Sequence, residues 1–96
     1  MNSQILSADL NQVLCAYYEY WQTINLPEHE REICYTWILP AHRRMFGGSF
    51  HQSKLQRLVD LGFLIPGYSA HGGNRRYYRL ADPQAVHDLL TETARR

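Results

Sequence analysis

The sequence predicts a mainly α domain with a small β-hairpin, an α+β class, from three observations. Apolar residues recur at steps of three and four near both ends of the chain, the spacing that lines one face of a helix. In the middle, Gly47, Gly48 and Gly62 divide the chain into short helix-sized pieces. Two β-prone runs, Phe63 to Ile65 and Tyr77 to Leu80, then flank a turn-rich segment bearing Gly72, Gly73 and Asn74. A length of 96 residues with 45% hydrophobic and 20% charged side chains suits a single domain, residues 1–96, with one modest core.

Taken in order, Leu10, Val13, Leu14, Tyr17, Trp21 and Ile24 predict a first helix from Ser7, its N-cap, to about Ile24. Tyr18 and Tyr20 lie off that stripe and are expected to face a partner or to lie flat on neighbouring loops. Asn25 and Glu28 have capping-box spacing, and Glu28, Glu30 and Glu32 suit the positive end of a short helix. Ile33 to Leu39 is aromatic and β-branched, so helix and short strand both stay open there. Pro40 fits the first turn of a helix from Pro40 to Phe46, which the glycine pair ends. Ser49 is placed to cap a helix over Phe50 to Leu61, with Leu55, Leu58 and Val59 inward and Gly62 as terminator. Alternation in the second β-run sets Tyr78 and Leu80 against Tyr77 and Arg79, so the hairpin is expected to pack through one side only. Asp82 caps a last helix that begins at Pro83 and buries Val86, Leu89, Leu90 and Ala94.

The net charge of +1 hides an asymmetry. Residues 1–41 carry Asp9, Glu19, Glu28, Glu30 and Glu32 against Arg31 alone, a net of −4. Residues 42–79 carry Arg43, Arg44, Lys54, Arg57, Arg75, Arg76 and Arg79 against Asp60, a net of +6 that a polyanion would feel. Cys15 and Cys34, with no secretory leader before them, are expected to be reduced core thiols of a cytoplasmic protein. No apolar run approaches the roughly 20 residues of a membrane span, so no membrane partner is expected.

The two middle helices and their Gly-Gly turn form a helix-turn-helix candidate. The stretch LQRLVDLGFLIPGYSAHGGNRRYYRLADP resembles the recognition-helix end, wing and exit strand of bacterial winged-helix repressors, notably the MarR-like and arsenical-resistance-repressor-like regulators. The resemblance runs from Leu55 to Pro83 and is carried by Leu55, Leu58, Gly62, Gly73, Arg75, Arg76, Tyr77, Tyr78 and Leu80. It implies a winged helix-turn-helix fold with a recognition helix at 49–61, a wing at 70–76, and double-stranded DNA as partner.

For that function a helix must present hydrogen-bonding side chains to the major groove, with cations meeting phosphate on either side. Ser49, Gln52, Ser53, Lys54 and Arg57 are expected to donate to phosphates or base edges, with Arg57 suited to guanine and Gln52 to adenine. His42, Arg43 and Arg44 are expected near the backbone, and Asn74, Arg75 and Arg76 at a phosphate or the minor groove. A homodimer is expected through Tyr18 and Tyr20 of the first helix and Val86, Leu89 and Leu90 of the last. The competing reading is a protein-binding module that docks on a host complex through Tyr17, Tyr18, Tyr20, Trp21, Tyr35 and Trp37. No nucleophile elbow, phosphate loop or metal-ligand spacing organises the titratable residues, so neither an enzyme nor a metal or other cofactor is expected.

Overall fold

In the computed structural model, which describes residues 6–67 and 76–94, four helices surround a small antiparallel sheet. The order is α1 (Ala8–Trp21), β1 (Ile33–Cys34), α2 (Tyr35–Phe46), α3 (Ser53–Asp60), β2 (Leu64–Gly67), β3 (Tyr77–Leu80) and α4 (Pro83–Ala94). The mainly helical α+β class is as expected.

Helix α1 buries Leu10, Val13, Leu14, Tyr17 and Trp21 on the stripe its spacing predicts, and Ala16 beside them. Ser7 occupies the N-cap position, but its hydroxyl donates to Asp9 Oδ1 at 2.6 Å instead of accepting a backbone N–H. The helix stops three residues short of Ile24, where the Thr23 hydroxyl donates to the Tyr20 carbonyl at 2.6 Å and draws the chain out of register. The expected helix start at Asn25 and Glu28 is replaced by a three-residue 3-10 turn, Glu28–Glu30, whose N-cap is Pro27, a residue with no side-chain acceptor.

The open stretch from Ile33 resolves into both alternatives in succession. Ile33 and Cys34 pair with Tyr78 and Tyr77 of β3, and helix α2 starts at the next residue. Pro40 therefore lies inside a helix, not at its start. It has no N–H for the Thr36 carbonyl, a defect worth up to about 3 kcal/mol. The ring is exposed, and the helix persists because Ile38, Ala41 and His42 bury its opposite face. Gly47 and Gly48, at φ of +78° and +69°, end α2 in conformations that a side chain would strain.

Helix α3 is shorter than the expected 50–61. Phe50 is buried and lies in the turn before the helix, which begins at Ser53. Gln52, not Ser49, holds the N-cap position and makes no side-chain cap bond, while His51 Nδ1 accepts the Ser53 N–H at 3.1 Å. The far end of the helix is as expected: Gly62 has a φ of +91°, and the Phe63 N–H returns to the Leu58 carbonyl at 2.9 Å, closing a Schellman turn.

The sheet order is β1-β3-β2, so β3 is central. Leu64 faces Leu80 and Pro66 faces Tyr78 across the hairpin. The Ala81 N–H bonds the Phe63 carbonyl at 3.0 Å, which fixes the phase of the ladder. Alternation then turns the backbone polar groups of Leu64 and Pro66 to the free edge, where the proline removes a donor and discourages strand addition. Tyr17, fully buried, donates its hydroxyl to the Tyr78 carbonyl at 2.6 Å and joins α1 to the sheet. Contrary to the one-sided expectation, Tyr77 is buried as well as Tyr78, because Trp37 of α2 meets it edge-on at 5.5 Å from the opposite face. Asp82 caps α4 as expected, its Oδ1 accepting the Ala85 N–H at 3.1 Å. Val86 enters the core and Leu89 and Leu90 cover its rim; the Ala94 side chain lies outside the described residues.

Candidate functional site

An aromatic cluster joins α2 to the turn that leads into α3. Phe50 packs edge-on against Tyr35 at 5.2 Å and lies tilted against His42 at 4.9 Å, and His42 also meets Phe46 at 5.5 Å. The Tyr35 hydroxyl donates to the Phe50 carbonyl, so one side chain holds both the ring and the backbone of the turn. His42, expected near a ligand, is instead 5% exposed and belongs to this cluster.

Projecting α3 at 100° per residue puts Ser53, Gln56, Arg57 and Asp60 opposite the buried Leu55 and Leu58, and all four are exposed. Gln56 donates to Asp60 at 3.3 Å, leaving Arg57 and Ser53 as the donors on that face without a carboxylate partner among the described residues. Ser49 is exposed but lies in the turn, outside the helix. Gln52 is half-buried, with its amide 3.4 Å from the Tyr78 hydroxyl, so the outward amide of this helix is Gln56 and not the expected Gln52. Arg43 and Arg44 are exposed in the last turn of α2, and Arg76 is exposed at the entry to β3. Asn74, Arg75 and the wing tip expected between them and residue 70 lie outside the described residues.

Among the described residues, Lys54 and Arg79 of the basic middle segment are paired internally, both with acids of the first segment. Lys54 Nζ meets Asp9 Oδ2 at the start of α1, and Arg79 Nε lies 3.8 Å from Glu32. The Lys54 ammonium, with the Ser7 hydroxyl, holds the Asp9 carboxyl down at about 2. Lys54 therefore leans toward α1 instead of pointing freely outward with Arg57. Between the two helices runs an open groove of about 500 Å³, with Ser7, Asp9 and Leu10 on one bank and Ser53, Lys54 and Arg57 on the other. Asp9 carried no signal in the sequence beyond its place in a first helical turn, since its partner is 45 residues away.

The residues expected at a dimer contact separate. Val86 is 1% exposed inside its own subunit's core and is withdrawn from that role. Tyr18 and Tyr20 lie on different flanks of α1: Tyr18 stacks on Trp21 at 5.5 Å and approaches His87 of α4, while Tyr20 approaches Trp37 of α2. Leu89 and Leu90 remain half-buried on α4. Of the aromatic residues proposed for a protein-binding face, Tyr17 and Trp21 are buried, whereas Trp37 is 37% exposed.

Cys15 is half-buried and Cys34 buried, both as free thiols, and burial pushes the Cys15 thiol up. Among the described residues no group of three or more His, Cys, Asp or Glu could hold a metal ion, and no helix is long and apolar enough to cross a membrane. No family model, curated protein or solved structure matches the chain.

Proposed function

We propose that the chain is a winged helix-turn-helix domain that binds duplex DNA in a sequence-specific way, as a small transcriptional regulator. The observation that carries this reading is the path from α2 through a tight glycine turn to a short, polar-faced α3, followed at once by the β2–β3 hairpin, with β1 on the far side of β3. Such an arrangement suits a helix that enters the major groove beside a hairpin that follows the backbone. Arg57, with Ser53 and Gln56 beside it, reads base edges. Arg43, Arg44 and Arg76, exposed and without an ion-pair partner among the described residues, meet phosphate, together with Arg75 of the wing. The domain acts as a homodimer through Tyr18 of α1 and Leu89 and Leu90 of α4, all half-buried.

Selection of duplexes from a random pool by the purified protein tests the assignment. Enrichment of one motif, lost on Arg57→Ala, supports it; each good bidentate base contact is worth about 1–3 kcal/mol of discrimination. The same motif selected by the variant would exclude α3 as the reader. A protein-docking module is favoured by one observation, the exposed Trp37 with Tyr20 and Tyr77 around it. Binding through that face would be insensitive to salt and abolished by Trp37→Ala.

A further inference from the structure

Resting on the DNA-binding reading, we propose that Asp9 sets the specificity of the interface by holding Lys54 in an internal ion pair, which must open before Lys54 can receive a backbone phosphate. The pair stands at the edge of the groove that Ser53 and Arg57 share, so the carboxylate occupies a place next to the outward face of α3. Both side chains are accessible, 38% for Lys54 and 54% for Asp9, and an incoming anion can compete with the carboxylate without unfolding anything. Asp9 is itself fixed: Oδ1 accepts the Ser7 hydroxyl at 2.6 Å and the Leu10 N–H at 3.0 Å, which leaves Oδ2 for Lys54. With its carboxyl ionised at every pH where DNA is bound, it presents a permanent negative charge to the groove.

The consequence concerns non-specific DNA most. A phosphate that slides past the groove gains nothing from a lysine already neutralised, whereas Arg57 stays available to a correctly placed base. Removing the carboxylate frees one cation for any phosphate, and each additional phosphate neutralised steepens the dependence of log affinity on log salt by about 0.9. The discriminating ratio between specific and non-specific duplex then falls.

The test compares wild type, Asp9→Asn, Lys54→Gln and the double variant by anisotropy titration of a random-sequence duplex at several salt concentrations. Circular dichroism checks that each is folded; the asparagine keeps an acceptor for Ser7 and Leu10. The expected result is tighter binding by Asp9→Asn with a slope steeper by about 0.9, little change for Lys54→Gln, and a double variant that behaves like Lys54→Gln. Binding by all four with equal slopes would overturn the proposal while leaving the DNA reading intact. Binding by none would overturn both.

Discussion

Phe50 anchors the α2–α3 turn, and its replacement measures how firmly. The ring is 9% exposed and meets Tyr35 and His42 with centroids 5.2 and 4.9 Å away. Truncation to alanine removes a buried ring and leaves a cavity, which costs about 3–5 kcal/mol. That is a large part of the roughly 5–14 kcal/mol expected for a domain of this length. Phe50→Leu keeps most of the apolar volume and loses the ring contacts, for about 1–1.5 kcal/mol. Urea unfolding followed by the fluorescence of Trp21 and Trp37 reads both. At a slope near 1.5 kcal/mol/M, the alanine variant's midpoint should fall by about 2 M or more. A loss under about 1 kcal/mol for Phe50→Ala would refute the argument that this residue pins the turn.

Three further outcomes follow from single contacts. Tyr17→Phe removes the buried hydroxyl from the Tyr78 carbonyl and should cost about 1 kcal/mol, lowering the thermal midpoint by about 4–8 °C; an unchanged midpoint would mean that this bond contributes nothing net. Pro40→Ala restores an N–H for the Thr36 carbonyl at an exposed site within α2 and should raise the midpoint, so a lower one would contradict the reading of Pro40 as a helix defect. Because the Asp9 carboxyl is depressed from 3.8 to about 2, its pair with Lys54 contributes fully above pH 4 and is lost as pH falls toward 2. Asp9→Asn should therefore show a flatter loss of stability across that window than wild type, and parallel curves would deny the pair any role in the fold.

Local patterns were legible where one face of one element decided the outcome. The stripe from Leu10 to Trp21, the Asp82 cap, Gly62 as terminator and the pairing of the two β-runs in one hairpin all follow from periodicity or turn chemistry. Boundaries set by distant packing were not. Tyr35 begins a helix because its ring and hydroxyl engage Phe50, a contact across 15 residues that outweighs the local β preference. His42 is buried by the same cluster, although its neighbours Arg43 and Arg44 invited an outward reading. At the candidate site, the outward position of Arg57 was legible from helical spacing, whereas the capture of Lys54 by Asp9 and of Arg79 by Glu32 needed the tertiary fold. The basic middle and acidic start are thus partly complementary halves of one surface.

The proposed binding of duplex DNA by exposed cations around α3 and the hairpin is tested most directly by the affinity for a selected duplex between about 50 and 200 mM salt. Arg43, Arg44 and Arg76, exposed and without an ion-pair partner among the described residues, are proposed to meet phosphate together with Arg75. With each neutralising one phosphate, the log-log slope should be about −3.6, and affinity should fall by about a hundredfold across that range. No saturable binding by micromolar protein at the lowest salt, or binding with a slope near zero, would contradict the account.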